Sequence, residues 1–338
     1  MKKAVLLCLA LAVPAQGADL DPLKVPAFTA KRLDKLLFSD IARAGDSLVA
    51  VGDQGMIVRL EEGQWQQQVS PVSSLLTQVH FLDKDTGFVA GHDATLLKTE
   101  DGGRSWRIVY RNAPLQKPLM ALHFFNASEG IAVGAYGLFL RTSDGGESWQ
   151  KEVHEGFLKE DDLSYLQEIR EDSEEDYQAE LEAAQPHLNA LAGQGDTLLL
   201  GGEMGLVALS TDKGQHWQRL DTGYPGSFFA VSVLDRDNWL VGGLRGHLFR
   251  TSDGGGHWTA LRFDSQAAIN GLDAGTGGSL LLTANNGNLY ESHDGYLFLP
   301  KARSLGNATL AAEPQGQGTW VASDKGLHYL DNNNKDDR

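Results

Sequence analysis

The amino-acid sequence predicts an all-β protein, a seven-bladed β-propeller of four-stranded blades. Three observations carry that expectation. A pattern reading Ser/Thr, any residue, Asp, any, Gly, two more, Trp recurs at residues 99–106, 142–149, 210–217 and 251–258. A second pattern, a tight turn near Gly-x-x-Gly between apolar runs, begins at Gly52, Gly91, Gly134, Gly202, Gly243, Ala284 and Ser323, with spacings of 39, 43, 68, 41, 41 and 39 residues. A period of about forty is what a four-stranded blade needs. Finally, 338 residues with 39 glycines, 10 prolines and 41% hydrophobic residues supply turn formers in quantity and enough apolar side chains for one closed all-β domain.

Taken in order, the chain opens with Lys2 and Lys3, an apolar run over 4–13, and then Pro14-Ala-Gln-Gly, with small Ala15 and Gly17 placed for cleavage before Ala18. This reads as a secretory signal over residues 1–17. The run is too short to anchor in a bilayer, and nothing later approaches a spanning length. The mature protein is therefore expected to be soluble and periplasmic or secreted. Cys8, the single cysteine, lies inside the signal core, so the mature chain has no thiol. Disulfides, cysteine nucleophiles and thiolate metal sites are excluded together.

The propeller is expected over residues 25–330, and each unit reads alike. In the second, Leu76–Phe81 is the inner strand, 87–90 the second, Thr95–Thr99 the third and 106–110 the outer one. The turn between the second and third strands, here called the tip turn, needs glycine because a two-residue hairpin turn demands positive φ. The hairpin between the third and fourth strands, here the box hairpin, holds Asp101, Asp144, Asp212 and Asp253, which can accept N–H bonds across their own turns. Gly103, Gly146, Gly214 and Gly255 take conformations closed to other residues. Trp106, Trp149, Trp217 and Trp258 open the outer strand as apolar wedges between blades.

Blades one, six and seven depart from the pattern. Blade one shortens its hairpin to Leu60-Glu-Glu-Gly-Gln-Trp, and blade six follows Asp294 with Tyr296 and Leu299 where Gly and Trp are expected. Blade seven stops before a fourth strand, the tail 331–338 being polar and expected to fray. The segment 25–32 is available to fill that gap, so the ring is expected to close on an N-terminal strand.

The 68-residue spacing marks an insertion of about 26 residues within 154–185, between blades three and four. Twelve Asp/Glu stand there against Lys159 and Arg170. Leu163, Leu166 and Ile169, then Tyr177, Leu181 and Ala184, recur at helical spacing and predict one or two amphipathic helices. By topology the insertion shares a face with the tip turns, and the box hairpins lie on the opposite face.

Charge and motif exclude several functions. The net charge is −16, and −18 once Lys2 and Lys3 leave. With no dense Lys/Arg cluster, nucleic acid is excluded and anionic lipid disfavoured. The ten histidines show no metal-ligand spacing, and no nucleophile elbow or phosphate loop appears, so no metal or cofactor is expected.

The Asp hairpins resemble the BNR or Asp-box repeats of sialidases and related glycosidases, in which the boxes are scaffold remote from the catalytic site. The arginine triad, the Tyr/Glu nucleophile pair and the acidic catalyst of sialidases are not legible here. A fuller resemblance comes from whole units, such as Val-His-Phe-Leu-Asp-Lys-Asp-Thr-Gly-Phe-Val-Ala-Gly at 79–91 and its counterpart at 122–134. These are similar to the photosystem II assembly and stability factor family of seven-bladed propellers, whose bacterial relatives include many with no link to photosynthesis.

That resemblance implies a non-catalytic monomer that binds a membrane-associated complex on its extracytoplasmic side while it assembles. By analogy with related bacterial proteins, the partner class extends to transporters of the resistance-nodulation-division type. Apolar or large residues at tip turns mark the expected contact: Tyr136, Met204, Leu244 and Arg245, with Asp161, Asp162, Glu174 and Glu175 of the insertion beside them. The alternative is a sialidase-like glycoside hydrolase or a sugar-binding propeller, which sustained turnover of glycosides would reveal.

Overall fold

The computed structural model describes residues 25–331. The signal segment and residues 332–338 of the tail lie outside the described residues. Seven antiparallel sheets, six of four strands and one of three, stand around a common axis, each a meander in chain order. This is a seven-bladed β-propeller. Inner strands Phe38–Ala44, Leu76–Phe81, Leu119–Phe124, Leu188–Gln194, Phe228–Val233, Ile269–Ala274 and Thr309–Gln315 pack side by side around a central channel. Second strands such as Gly87–Gly91 and Gly130–Gly134 are buried along their whole length, because both faces of each meet a neighbouring blade.

Each gap between blades holds its own apolar cluster. Between blades two and three, Phe88 stacks on Phe124 at 4.2 Å between ring centres, and Trp149 meets Phe124 edge-on at 6.0 Å. A Cβ on Gly146 would come within 2.4 Å of the Phe88 ring, and its φ is +79°. Only glycine serves there.

The box hairpins are closed hydrogen-bonded units. In blade three, Thr142 Oγ1 donates to Asp144 Oδ1 (2.9 Å) and accepts from Gly146 N–H (2.9 Å). Asp144 also accepts from Ser148 N–H (2.9 Å) and Ser148 Oγ (2.6 Å), and Trp149 Nε1 donates to the Gly146 carbonyl (3.2 Å). Blades two and four repeat this around Asp101, Gly103 and Trp106 and around Asp212, Gly214 and Trp217. Blade five repeats it around Asp253 and Gly255, but Trp258 is only half-buried and its Nε1 has no partner.

Arginines of the third strands then lock the hairpins of blades two, four and six to the blade before them. Arg59 Nε donates to the Gly102 carbonyl (2.9 Å), Arg141 to the Lys213 and Gly214 carbonyls (2.9 and 2.8 Å), and Arg250 to the Asp294 carbonyl (2.7 Å). Lys98 reaches Glu147 of blade three at 2.6 Å in the same way.

Two expectations are corrected. In blade six the wedge is Phe298, 5% exposed within the apolar cluster shared with blade five, and not Leu299, which is 58% exposed. The hairpin there is one residue shorter, with Asp294 accepting directly from Tyr296 and Leu297 N–H. The ring does not close on an N-terminal strand: blade seven keeps three strands, Thr309–Gln315, Gly318–Ser323 and Gly326–Asp331. Segment 25–32 turns toward blade one instead, where Ala27 N–H donates to the Ser70 carbonyl and Ala30 N–H to Gln67 Oε1. Pro26 has no N–H to offer a strand ladder.

Closure comes from packing and side-chain bonds. Phe38, Ile41 and Leu48 of blade one share a cluster with Ala311 and Ala322 of blade seven, and Trp65 meets Trp320 edge-on at 5.2 Å. Arg43 pairs with Glu313 at 2.9 Å, and Gln315 donates to the Asp46 carbonyl (3.1 Å).

Candidate functional site

The insertion folds as α1 (Glu160–Asp172) and α2 (Glu174–Ala183), joined through Ser173, whose hydroxyl accepts from Asp176 N–H at 3.2 Å. The acidic first turns complement the positive ends of both helix dipoles. Leu158, Leu166, Tyr177 and Leu181 form a small buried core of the insertion's own. Tyr177 donates to Glu155 at the start of the insertion, and Lys151 of the outer strand of blade three pairs with Glu182, fastening that core to the blade. Among the described residues, no helix is long and apolar enough to cross a membrane.

The tip turns of blades three, four and five lie on the insertion's face. They are two-residue turns closed by Leu138 N–H to the Ala135 carbonyl, Leu206 to Glu203, and His247 to Leu244. The first turn residue in each has positive φ: Tyr136 at +52°, Met204 at +52° and Arg245 at +56°. Asn, Asp or Gly ordinarily occupies that position, and a large L-residue there is strained. These strained residues are also exposed, Tyr136 at 55% and Met204 at 51%. Strain of this kind persists where the surroundings over-determine it, and it collects at functional sites.

The surroundings do over-determine it. Tyr136 packs edge-on against His187 at 4.2 Å between ring centres, and its carbonyl accepts from Lys117 Nζ (3.1 Å). A Cβ on Gly137 would lie 2.2 Å from Gln185, so the turn is pressed against the end of the insertion. Arg219 donates to the Met204 carbonyl (2.8 Å) and to the Phe157 carbonyl (2.7 Å), joining the fourth tip turn to the start of the insertion. The Tyr224 hydroxyl donates to the Leu244 carbonyl (3.2 Å), and its ring stacks on His247 at 4.0 Å.

The structure thus brings Tyr136 and Met204 to the two attachments of the insertion, with Leu244 (39% exposed) and exposed Arg245 one blade further on. Asp161 and Asp162 are exposed on the first turn of α1, and Asp162 is close enough to Arg219 to act on its charge. Glu174 and Glu175 are exposed at the junction of the helices and touch neither tip turn, Glu174 pairing instead with Arg170 (2.9 Å).

On this same face the central channel opens as a cavity of about 580 Å³, which the sequence reading did not single out. Every inner strand has a one-residue register shift near its start. The bulged residues are Ser39, Thr77, Met120, Asn189, Phe229, Asn270 and Leu310, and all line the cavity. Such a bulge re-aims a side chain, and four of these tie their blade to the next: Ser39 donates to the Leu76 carbonyl, Thr77 to Leu119 (2.7 Å), Asn189 to Phe228 (2.9 Å) and Asn270 to Thr309 (2.8 Å).

Below them lie two carboxylates. Asp40 Oδ2 accepts from Val79 N–H (2.9 Å) and Asp273 Oδ2 from Ala312 N–H (3.1 Å). Burial lifts Asp40 to about 8, with the charges of Asp273 and Glu313 adding to it against the pull of the Val79 N–H. Burial likewise lifts Asp273 to about 7, again helped by Glu313. Burial lowers His80, and lowers His123 to about 4 with help from His80. The box aspartates go the other way. Asp144 is held at about 2 by the Ser148 hydroxyl and N–H and by Thr142. Among the described residues, no group of three His, Cys, Asp or Glu is placed to hold a metal ion.

The family model for the photosynthesis system II assembly factor YCF48 matches residues 57–155 and 112–303, and the chain belongs to that family. No curated protein sequence matches it. Among solved structures it is similar to YCF48 bound to a D1 peptide, at 15% identity and a TM-score of 0.65, over 88% of this chain and 94% of that one. It is similar too to YCF48 from Cyanidioschyzon merolae, at 14% identity and 0.66, over 89% and 97%. The WD40 propeller domain of Doa1 matches at 11% identity and 0.63, over 93% and 97%, a likeness of fold.

Proposed function

We propose that this member of the YCF48 assembly-factor family is a non-catalytic binding protein outside the cytoplasm, which holds a segment of a membrane protein while its complex assembles. The observation that carries the reading is the trio of exposed, strained turn residues Tyr136, Met204 and Arg245 beside the acidic insertion. The relative bound to a D1 peptide supports protein binding as the activity. The signal-like N-terminus supports export. Nothing in these relatives supports a resistance-nodulation-division transporter, so the partner proposed is a membrane protein's extracytoplasmic segment with basic character facing Asp161 and Asp162.

A glycosidase needs two carboxylates flanking the scissile bond. The oxygens of Asp101, Asp144, Asp212 and Asp253 are engaged within their own hairpins, which takes the Asp boxes out of that role. The test is photo-crosslinking in the native envelope from residues 136, 204 and 244, with residues 100 and 147 on the box-hairpin face as controls. Adducts with a membrane protein from the first set alone are expected. Adducts from the control set alone, or sustained turnover of aryl glycosides by the purified protein, would overturn the reading.

A further inference from the structure

We propose that the mouth of the central channel is a receptor for a primary ammonium on an aliphatic stem, that is, for a lysine side chain of the docked partner, seated on Asp40 and Asp273. The proposal rests on the docking face above only for the source of the lysine.

The lining has the two parts such a ligand requires. Around the opening, Leu37, Leu75, Met120, Phe229 and Leu310 offer apolar surface to a four-carbon stem. At depth, Asp40 and Asp273 come from the blades on either side of blade seven and line the same cavity. Each has one oxygen held by a backbone N–H of the next inner strand, which fixes the carboxylates before any ligand arrives. Among the described residues, the Asp273 carboxyl has no other hydrogen-bond partner.

The charged groups around them leave a deficit of positive charge. Glu313, further along blade seven, is paired with Arg43, whose guanidinium also donates to the Pro314 carbonyl. His80 and His123, on the inner strands of blades two and three, are kept uncharged at neutral pH by burial. His92 also lines the cavity, and among the described residues no lysine or arginine is paired with Asp40 or Asp273, so burial raises both carboxyls well above the ordinary range. An ammonium delivered into this cavity supplies the missing charge: its own proton stays on nitrogen, any proton on the carboxyl it meets leaves to solvent, and charge-assisted hydrogen bonds form.

The methionines provide the readout. After loss of Met1 the chain has Met56, fully buried in blade one; Met120, in the channel mouth; and Met204, on the docking face. With their methyl groups labelled with carbon-13, the mature protein is titrated with N-acetyl-lysine methylamide and, separately, with the norleucine counterpart, which has the stem without the ammonium. The lysine probe is expected to shift Met120 saturably while Met56 stays still. Its affinity should rise roughly tenfold or more from pH 6 to pH 9, because the carboxyls ionise while the ammonium keeps its proton.

The Asp40→Asn, Asp273→Asn double variant keeps an acceptor for the Val79 and Ala312 N–H groups and should lose the response. An equal shift with norleucine, a response that survives in the double variant, or silence at Met120 would each overturn the proposal. Crosslinking from residue 204 together with a silent Met120 would sink the channel receptor and leave the docking face standing.

Discussion

The box-hairpin end and the tip-turn end of the ring treat strain and polarity differently. At the first, every positive-φ position in the four Asp boxes except Lys213 is glycine, the aspartates collect donors from their own turns, and arginines carry the order from blade to blade. At the second, the large residues Tyr136, Met204 and Arg245 occupy left-handed positions ahead of a repeated glycine, and among the described residues the channel beneath holds the carboxyls of Asp40 and Asp273 with no salt-bridge partner. One end repeats a single solution to a folding problem. The other departs from regularity residue by residue, as sites do when local rules yield to a ligand.

The comparison breaks most visibly at a wedge. Trp149→Ala should destabilise the fold by about 3–5 kcal/mol in denaturant unfolding, the range for truncating a buried aromatic. A loss as small as that of an exposed residue would mean that the hairpins do not hold the blades. Thr142→Val removes one donor and one acceptor from a hydroxyl that is 2% exposed, and about 1–3 kcal/mol should follow.

The next test concerns sign. Asp40 and Asp273 have folded-state values above the ordinary carboxylate range, so their contribution is full at pH below about 4 and is lost as pH rises through 7 and 8. The box aspartates, at about 2, contribute above about 4 and lose it as pH falls toward 2. Unfolding midpoints of Asp40→Asn should therefore gain on the parent steadily from pH 4 to pH 8. Parallel curves would put Asp40 outside the low-dielectric channel.

The smallest effect sharpens the contrast furthest. Tyr136→Asn places Asn-Gly in the third tip turn and should leave stability within about 1 kcal/mol of the parent, on the stabilising side, since the left-handed cost falls. Crosslinking from residue 204 should nevertheless weaken in that variant. Undiminished crosslinking would reduce Tyr136 to a strained spacer.

Much of the scaffold was legible because it repeats: Asp101, Asp144, Asp212 and Asp253 announce their own turns, and the glycine pairs count the blades. Phe298 escaped because a one-residue shortening moved the wedge out of register with its letter. The three-stranded closure escaped because whether segment 25–32 pairs with blade seven or turns to Ser70 depends on tertiary partners, which composition does not encode. The channel was hidden for a deeper reason. A bulge is a backbone event, and Ser39, Met120, Asn189 and Phe229 share no side-chain chemistry by which a pattern could find them. Tyr136 and Met204 did stand out, since bulky residues at a glycine-type turn violate local preference on their face.

The three-stranded seventh blade gives the ring a mechanical character of its own. Neighbouring blades elsewhere are linked by covalent chain, whereas the joint between blades seven and one relies on the Phe38 cluster, the Trp65–Trp320 contact and the Arg43–Glu313 clasp. No strand crosses that joint, so parting it breaks no sheet ladder. Under load or heat this latched seam is therefore where the hoop is expected to part first, with each blade's own ladder intact.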